Sequence, residues 1–447
     1  MRKTNIYDLG YIYFSIGKEN EHFLNRGLDN KFSHSYLLGG IFFFFKFFAF
    51  LFKSPFKFDK SLAKDKKQAI LVFGESTNNR NTLLPIIEML GKENVIDLYH
   101  SGLYPKWRSY WYAIPHLGHL ISEIRKNTSD RRDTIKTFFP KFWLMYGCHK
   151  TAGQLLDFYK PKAVVMANDH LPFHRSLMHE ANDRGIPTIY VQHAAVTEKF
   201  PPLSFTYSLL DGDDSYKKYK QKGGTQGFIY LSGGIRFDAI AKDRRKDCET
   251  TIVGVAINLV DDEELVKEVC LKLRQVQVEG KEVRAILRPH PQMKLDMWKE
   301  WCEQSGIGFS NAKEESSFNF LRGISVLVSN QSSIHLDAAM CHIPSVVYSL
   351  SKASLDDSYS FVKNGLVMKV TNLKELASFI QNSKKFKYDE DIVRYYNCSY
   401  GTEYEGNVAQ LMADLLASIP DKMDQYNMKY HFEVIESDSH RTVYKTH

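Results

Sequence analysis

The residues best suited to chemistry fall in two clusters past the middle of the chain. In Ala285-Ile-Leu-Arg-Pro-His-Pro-Gln292 an apolar strand stops at a Pro-X-Pro corner. Pro289 and Pro291 fix φ on both sides of His290, which leaves the imidazole little backbone freedom. Arg288 stands two residues earlier, and a guanidinium with an imidazole at one strand end suits a phosphate-bearing ligand. About forty residues on, Ser325-Val-Leu-Val-Ser-Asn330 runs into Gln331-Ser-Ser333 and a helix predicted over Ile334 to Met340. Two hydroxyls and the N–H groups of a helix start form an anion site. Alone, one motif is a proline turn and the other an ordinary Ser cap. In this order and spacing they predict a nucleotide-phosphate site.

The elements that must hold these groups alternate strand with helix, twice. Gln68-Ala-Ile-Leu-Val-Phe-Gly74 reads as a buried strand, Glu75 to Asn81 as a polar loop, Thr82 to Leu90 as a helix and Asn94 to Tyr99 as a second strand. That is the start of a parallel sheet. The loop lacks the spaced glycines of a dinucleotide fingerprint or a P-loop. Residues 103–150 are aromatic, basic and mostly helical by pattern. Val164 to Met166 is a strand ending at Ala167-Asn-Asp-His-Leu-Pro172, followed by a helix from His174 to Arg184. Ile186 to Val191 ends at Gln192-His193, and Phe205 to Leu210 ends at Asp211-Gly-Asp-Asp214. Polar clusters at strand carboxyl ends mark the functional edge of such sheets. After Ser232-Gly-Gly-Ile-Arg-Phe-Asp238 and a charged run from Ala241 to Glu249, a second series opens at Thr251 and includes Ile343 to Tyr348. The expected organisation is an N-terminal extension over 1–67, a first α/β domain over 68–240, a second over 241–400, and a closing helix and tail over 401–447. The helix is expected over Gly406 to Ile419, with a poorly ordered polar tail from 420.

The chain has 447 residues, enough for two α/β domains, and its net charge of +7 is uneven. Residues 1–70 hold twelve lysines and arginines against six acids, so the remainder is nearly neutral. This excludes a wholly basic nucleic-acid-binding surface. Within the basic arm, Gly39 to Phe52 is aromatic almost throughout and broken only by Lys46. It is shorter than the ~20 apolar residues of a span. With Lys53, Lys57, Lys60, Lys64, Lys66 and Lys67 behind it, it reads as a helix lying in an anionic membrane surface, or as a helix packed on the protein before a lysine-rich linker. The six cysteines have no paired spacing, which suits reduced thiols in the cytoplasm. No secretory signal is expected, since the first apolar run begins near Tyr36.

Arg288-Pro-His-Pro291 resembles the His-Pro motif, and Ser332-Ser333 the Ser-Ser motif, of bacterial sialyltransferases, Kdo transferases and CDP-polyol transferases. Gln192-His193 is similar to their Gln-His-Gly element, with Ala194 in place of Gly. Gly233-Gly-Ile-Arg-Phe-Asp238 is similar to their Gly-x-Pro-Arg-x-Asp element, with Ile235 in place of Pro. The resemblance spans about residues 68–420. It implies the α/β GT-B architecture, two Rossmann-like domains facing across a cleft, here with the helical aromatic-basic extension added.

The resemblance assigns Arg288, His290, Ser332 and Ser333 to the donor phosphate, with Asp337 as a candidate partner of a ribose hydroxyl. His290 would also serve the leaving group, by hydrogen bond or as an acid. Candidate bases for the acceptor hydroxyl are Asp169, His170 and His193. Asp169 is favoured over His193, and neighbours in an extended loop are expected to diverge, so Asp169 and His170 should not share one site. Asp211 and Asp213 faintly resemble the acidic-Gly motif of sialyltransferases. No metal and no cofactor are expected, the nucleotide sugar being a substrate. The expected activity is transfer of a sugar from a CMP- or CDP-type donor to a lipid-linked or oligosaccharide acceptor of a surface glycan. Its place would be peripheral, on the cytoplasmic face of a bacterial membrane. The alternatives are an enzyme like UDP-N-acetylglucosamine 2-epimerase, and a non-catalytic glycan-binding protein with a GT-B fold.

Overall fold

The computed structural model describes residues 5–17, 31–32, 34–63, 69–98, 104–241, 251–352, 355–419 and 421–446. Most of the expected charged boundary, and Lys64, Lys66 and Lys67 of the arm, lie outside these residues. The chain divides into two compact units. Unit 1 comprises Met1–Leu210, Ser215–Ser232 and Ala409–His447, and unit 2 comprises Asp211–Asp214 and Gly233–Val408. Both are α/β, each built on its own sheet.

In unit 1 the strands are β1 (Ile70–Phe73), β2 (Val95–Leu98), β3 (Ala163–Met166), β4 (Thr188–Val191), β5 (Tyr207–Leu210) and β6 (Gly227–Leu231). Unit 2 carries β7 (Ile252–Ile257), the short hairpin β8 (Gln277–Val278) and β9 (Lys281–Glu282), β10 (Arg284–Pro289), β11 (Gly308–Phe309), β12 (Val326–Ser329), β13 (Ser345–Tyr348) and β14 (Met368–Val370). Late in the chain, β15 (Glu433–Ser437) and β16 (Arg441–Lys445) return to unit 1.

The unit 2 sheet has the order β11-β10-β7-β12-β13-β14, with every pair parallel. Counted from β7 without the hairpin, that is the 3-2-1-4-5-6 order of a Rossmann sheet. Its strands read as unbroken apolar runs because both faces are covered. Val253, Val255, Val326 and Val328 pack into one core, and Ala256, Leu327 and Val347 into the other. The unit 1 sheet has the order β15-β16-β6-β5-β4-β3-β1-β2. The order in which strands are added reverses between β1 and β3 in unit 1, and between β7 and β12 in unit 2. Ligands of open α/β sheets bind at the carboxyl ends of such strand pairs.

Two expectations need correction. The helix after β1 runs over Thr77–Leu90, not from Thr82, because the Ser76 hydroxyl accepts from Asn79 N–H at 3.2 Å and caps it five residues early. The segment from 420 is not a poorly ordered tail. Met423–Lys429 is a helix, β15 and β16 form an antiparallel hairpin, and β16 pairs in parallel with β6. The Tyr444 ring stacks on Tyr230 at 4.7 Å, and the Tyr230 hydroxyl donates to Asn427 at 3.0 Å.

The aromatic segment is one helix, Tyr36–Lys53, started by Ser35, whose hydroxyl accepts from Leu38 N–H. By length and composition it is apolar enough to cross a membrane. One stripe packs on helix Phe139–Tyr159. Phe43 stacks on Trp143 at 4.0 Å, and a side chain at Gly39 would press on Phe139 at 3.2 Å. The other stripe is uncovered: Leu37, Ile41, Phe44, Phe45, Phe48 and Phe52 are exposed, Phe52 to 84%. The helix is therefore neither buried all round nor free of the protein.

Candidate functional site

On unit 1, β3 delivers Asn168-Asp169-His170 to the reversal point. The Asn168 side-chain oxygen accepts from the N–H groups of His170 (3.1 Å) and Leu171 (2.9 Å), so the loop folds back in an Asx turn. This overturns the expectation that Asp169 and His170 diverge. His170 Nδ1 lies 2.9 Å from Asp169 Oδ1, and the Tyr219 hydroxyl donates to Asp169 Oδ2 at 2.7 Å. Asp169 is 1% exposed. Burial pushes its carboxyl up, but the His170 hydrogen bond and charge, the Tyr219 hydroxyl and His193 together hold it below the ordinary value. A sealed carboxylate of lowered basicity suits orienting an imidazole better than taking a proton itself. The proton on His170 Nδ1 faces Asp169, which leaves Nε2 as the acceptor nitrogen, and it accepts from the Asn168 side-chain N–H at 3.3 Å, a bond that an incoming hydroxyl would replace. His170 stacks on Phe200 at 4.6 Å, and the His193 ring lies 6.5 Å away. Asp169, His170 and His193 thus share one edge.

Glu75, at the end of β1, belongs to the same edge and was not singled out from sequence. It accepts from Lys106 Nζ (2.7 Å) and from the Tyr104 hydroxyl (3.2 Å). Burial raises its carboxyl, but Lys106, His174 and the Tyr104 hydroxyl together more than offset that, so it is held low. Its signal was its position, one residue after the apolar run and its closing Gly74. The nearby His174 is fully buried, has no hydrogen-bond partner on either ring nitrogen among the described residues, and is pushed down to about 4 by burial. It packs edge-on against Phe73 as a neutral core ring.

On unit 2, β10 ends at Pro289, and the N–H of the next residue, His290, donates to Ile257 O at 3.0 Å and continues the ladder one residue past the strand. Gln292 N–H donates to His290 Nδ1 at 3.3 Å, which puts the proton of the neutral ring on Nε2, as a donor. Ser332 and Ser333 follow β12. The Ser332 hydroxyl accepts from Ile334 N–H at 3.4 Å, and Ser333 caps the helix Ile334–Met340 without using its side chain. The backbone beneath them is tied down. Asn258 donates to Gln331 O (3.1 Å), Asn330 donates to Asp261 (2.8 Å), and the buried His335 ring, pushed down to about 4 by burial, is 3.0 Å from Asn330 O. β10 and β12 flank β7 on either side, so their ends are two strand spacings apart, about 10 Å. His290 and the two serines thus follow strands on either side of β7.

Arg288 and Asp337 take other partners. The Arg288 guanidinium is buried, donating to Ser310 Oγ (2.7 Å) and Glu315 O (2.8 Å), with its plane over Phe320. These contacts anchor the loop after β11. Asp337 accepts from Ser317 (3.5 Å) and lies 3.8 Å from Arg236. Arg236 also reaches Asp211 at 3.1 Å. Burial raises Asp211 to about 6, with Arg236 opposing and Asp337 adding to it. Asp211, Arg236 and Asp337 are thus one charge cluster inside unit 2, where Gly233 turns at φ +85°. No group of three potential metal-ligating side chains occurs among the described residues.

No protein-family model and no curated protein sequence matches the chain. Among solved structures it is similar to the UDP-GlcNAc 2-epimerase of Neisseria meningitidis bound to UDP-GlcNAc, at 12% identity, covering 79% of this chain and 100% of that one, with a TM-score of 0.49. It is also similar to the wall teichoic acid polymerase TagF (11% identity, 81% and 91% covered, TM-score 0.46). A third is MurG of Acinetobacter baumannii (8% identity, 79% and 100% covered, TM-score 0.43). These likenesses assign neither an activity nor a ligand to this chain.

Proposed function

We propose that the protein is a GT-B glycosyltransferase of surface-glycan assembly, taking a CMP- or CDP-type sugar donor and working without a metal ion. The observation that carries this reading is the pairing of His290 with Ser332 and Ser333 at the reversal point of a Rossmann sheet, on backbone fixed by Asn258, Asn330 and His335. In the proposed step an acceptor hydroxyl oxygen bonds to the anomeric carbon while the bond from that carbon to the phosphate oxygen breaks. The hydroxyl proton passes to His170 Nε2, with Asp169 holding the resulting imidazolium. The electron pair leaves with the phosphate, whose charge is met by His290 Nε2–H and the two serine hydroxyls. His193, with its ring 6.5 Å from that of His170, is the alternative base or an acceptor-binding group in this reading.

The same reading makes the enzyme peripheral at the cytoplasmic face of a membrane, with a lipid-linked acceptor. Its support is the uncovered stripe of helix Tyr36–Lys53 beside the exposed Lys53, Lys57 and Lys60. Each buried Phe is worth about 1.5–3 kcal/mol, and each lysine near an anionic surface about 1 kcal/mol. The test is incubation with a panel of nucleotide sugars plus anionic vesicles, following free nucleotide and vesicle flotation. Nucleotide release that depends on His290 is the expected result. Conversion of the donor to an epimer without release would make the protein an epimerase. Absence of turnover with intact nucleotide binding would make it a binding protein. Failure to float at low salt would make the arm a packing element only.

A further inference from the structure

A groove of about 1500 Å³ opens on unit 1, walled by helices Trp107–Ala113, Leu117–Lys126 and Phe139–Tyr159 and by the end of helix Pro172–Asp183. It is not the edge that carries His170. Helix Pro172–Asp183 begins two residues after His170, and at ~1.5 Å per residue Glu180 and Arg184 stand roughly 12–18 Å further along it. The charges of the lining cancel, three cations against three acids. Arg184 pairs with Glu180 and Asp157, Lys126 with Glu123, and Lys150 lies 4.2 Å from the Tyr112 ring. Trp111 is 55% exposed, with one side toward Phe47 at 6.3 Å, and the His116 ring stacks on Tyr146 at 5.4 Å. The Trp111 indole N–H, the hydroxyls of Ser122 and Tyr146 and the imidazoles of His116 and His119 have no hydrogen-bond partner among the described residues. Burial, His119 and Lys150 push His116 down, and burial pushes the Tyr146 hydroxyl up to about 12, so both stay neutral at pH 7.

We propose that this groove binds a neutral oligosaccharide, the stretch of surface glycan already built, at a distance from the transfer site. Its use in glycan assembly rests on the glycosyltransferase reading; the binding site does not. The volume exceeds the ~300–1,000 Å³ of small-molecule sites and, at ~30 Å³ per water-sized group, takes about 50 non-hydrogen atoms, roughly four hexose residues. A nucleotide or an anionic lipid head would need a net cationic lining, and here the charges cancel. An added peptide strand would need an open sheet edge, whereas the walls are helices, and a docked peptide helix would need a continuous apolar floor, whereas polar groups are spread among the rings. A sugar offers what this lining lacks. Its C–H face can lie on the open indole of Trp111, and its hydroxyls donate to and accept from neutral imidazoles and hydroxyls that do both. Trp111 lies against Phe47 of helix Tyr36–Lys53, so the groove opens beside the helix proposed to face the membrane, where a lipid-linked glycan would emerge.

The test is a printed array of purified bacterial surface oligosaccharides, neutral and acidic, probed with the labelled full chain, then calorimetric titration of the best-bound member. Binding to neutral members of roughly three sugars or more is expected, and weaker binding to their monosaccharides. Trp111→Ala, which removes the open platform, and Ser122→Trp, which fills the groove from a half-buried position, should each weaken the titrated affinity about 10-fold or more. Tyr146→Phe, which deletes one hydroxyl, should weaken it about threefold, the loss of one neutral hydrogen bond. All three should leave Tm unchanged. No neutral member bound, preference for acidic members, or wild-type binding by both Trp111→Ala and Ser122→Trp would overturn the site. Loss of vesicle flotation in Ser122→Trp, with no glycan bound by the wild type, would overturn it in favour of a membrane surface. If a neutral glycan binds as described but no nucleotide sugar is turned over, the site stands and the glycosyltransferase reading falls. Turnover of a nucleotide sugar without binding of any neutral glycan would strike the groove and leave that reading standing.

Discussion

The two sheet edges hold their polar groups in opposite ways. On unit 1 the acids themselves are enclosed: Asp169 is sealed between His170 and Tyr219, and Glu75 is clamped by Lys106 and Tyr104. On unit 2 His290, Ser332 and Ser333 are half-buried, and it is the residues behind them that are locked. A proton acceptor needs a fixed basicity, which enclosure supplies. A group that grips and then releases a nucleotide needs access, and its precision comes from the backbone. In the proposed reading, enclosure and access separate the edge that would carry the base from the edge that would hold the donor.

The sharpest break would come at the base. His170→Ala should lower kcat about 10²–10⁴-fold with little change in donor KM. If His193→Ala does this and His170→Ala does not, the imidazoles exchange roles. His290→Ala should cost about 10²–10³-fold in kcat, the usual loss of one transition-state donor. Turnover at the wild-type rate in that folded variant would remove the donor edge. Ser332→Ala with Ser333→Ala should raise donor KM about 100-fold or more, since each hydrogen bond to a charged group is worth about 1.5–3 kcal/mol. An unchanged KM would put the phosphate elsewhere. Arg288→Lys should lower Tm while leaving KM within about threefold, because a lysine cannot span Ser310 and Glu315 together. A large KM change at constant Tm would return Arg288 to the phosphate.

The smallest effects lie in pH dependence, and they carry opposite signs. Asp169 is held below the ordinary carboxylate value. Its stabilisation is present above the unfolded pKa near ~3.9 and is lost as pH falls through the lower folded value. Asp169→Asn should therefore flatten the acid limb of Tm against pH. Asp211 is raised to about 6, so its contribution is full below the unfolded pKa and is lost as pH rises through about 6. Asp211→Asn should gain on the wild type as pH rises across that window. Parallel curves for the two variants would sink the assignment.

The inner strands could be read locally, since Ile70–Phe73 and Val326–Ser329 are buried on both faces and hence apolar throughout, whereas β6, β11, β14, β15 and β16 could not. The positions of His290 and of the serine pair followed from their strands. The Asp169–His170 contact did not, because an Asx turn set by Asn168 decides it and a strand pattern says nothing of side-chain direction in the next loop. The partners of Arg288 could not be read either, because Ser310 and Glu315 lie more than twenty residues away. The polar late segment misled for a related reason. Its strands are half exposed on an edge, and β16 finds β6 about 210 residues distant, beyond any local periodicity.

That long return has a consequence for biosynthesis. At ~5–20 residues per second, roughly 10–40 s separate the emergence of Leu231 from that of Arg441. During this interval all of 233–408 is made and β6 has no outer neighbour. An open strand edge carrying Phe228 and Tyr230 is a template for pairing with another nascent chain. The helix Met423–Lys429 and the hairpin behind it close that edge last, so crowded ribosomes and slow translation of the final segment are where this protein is most exposed to aggregation.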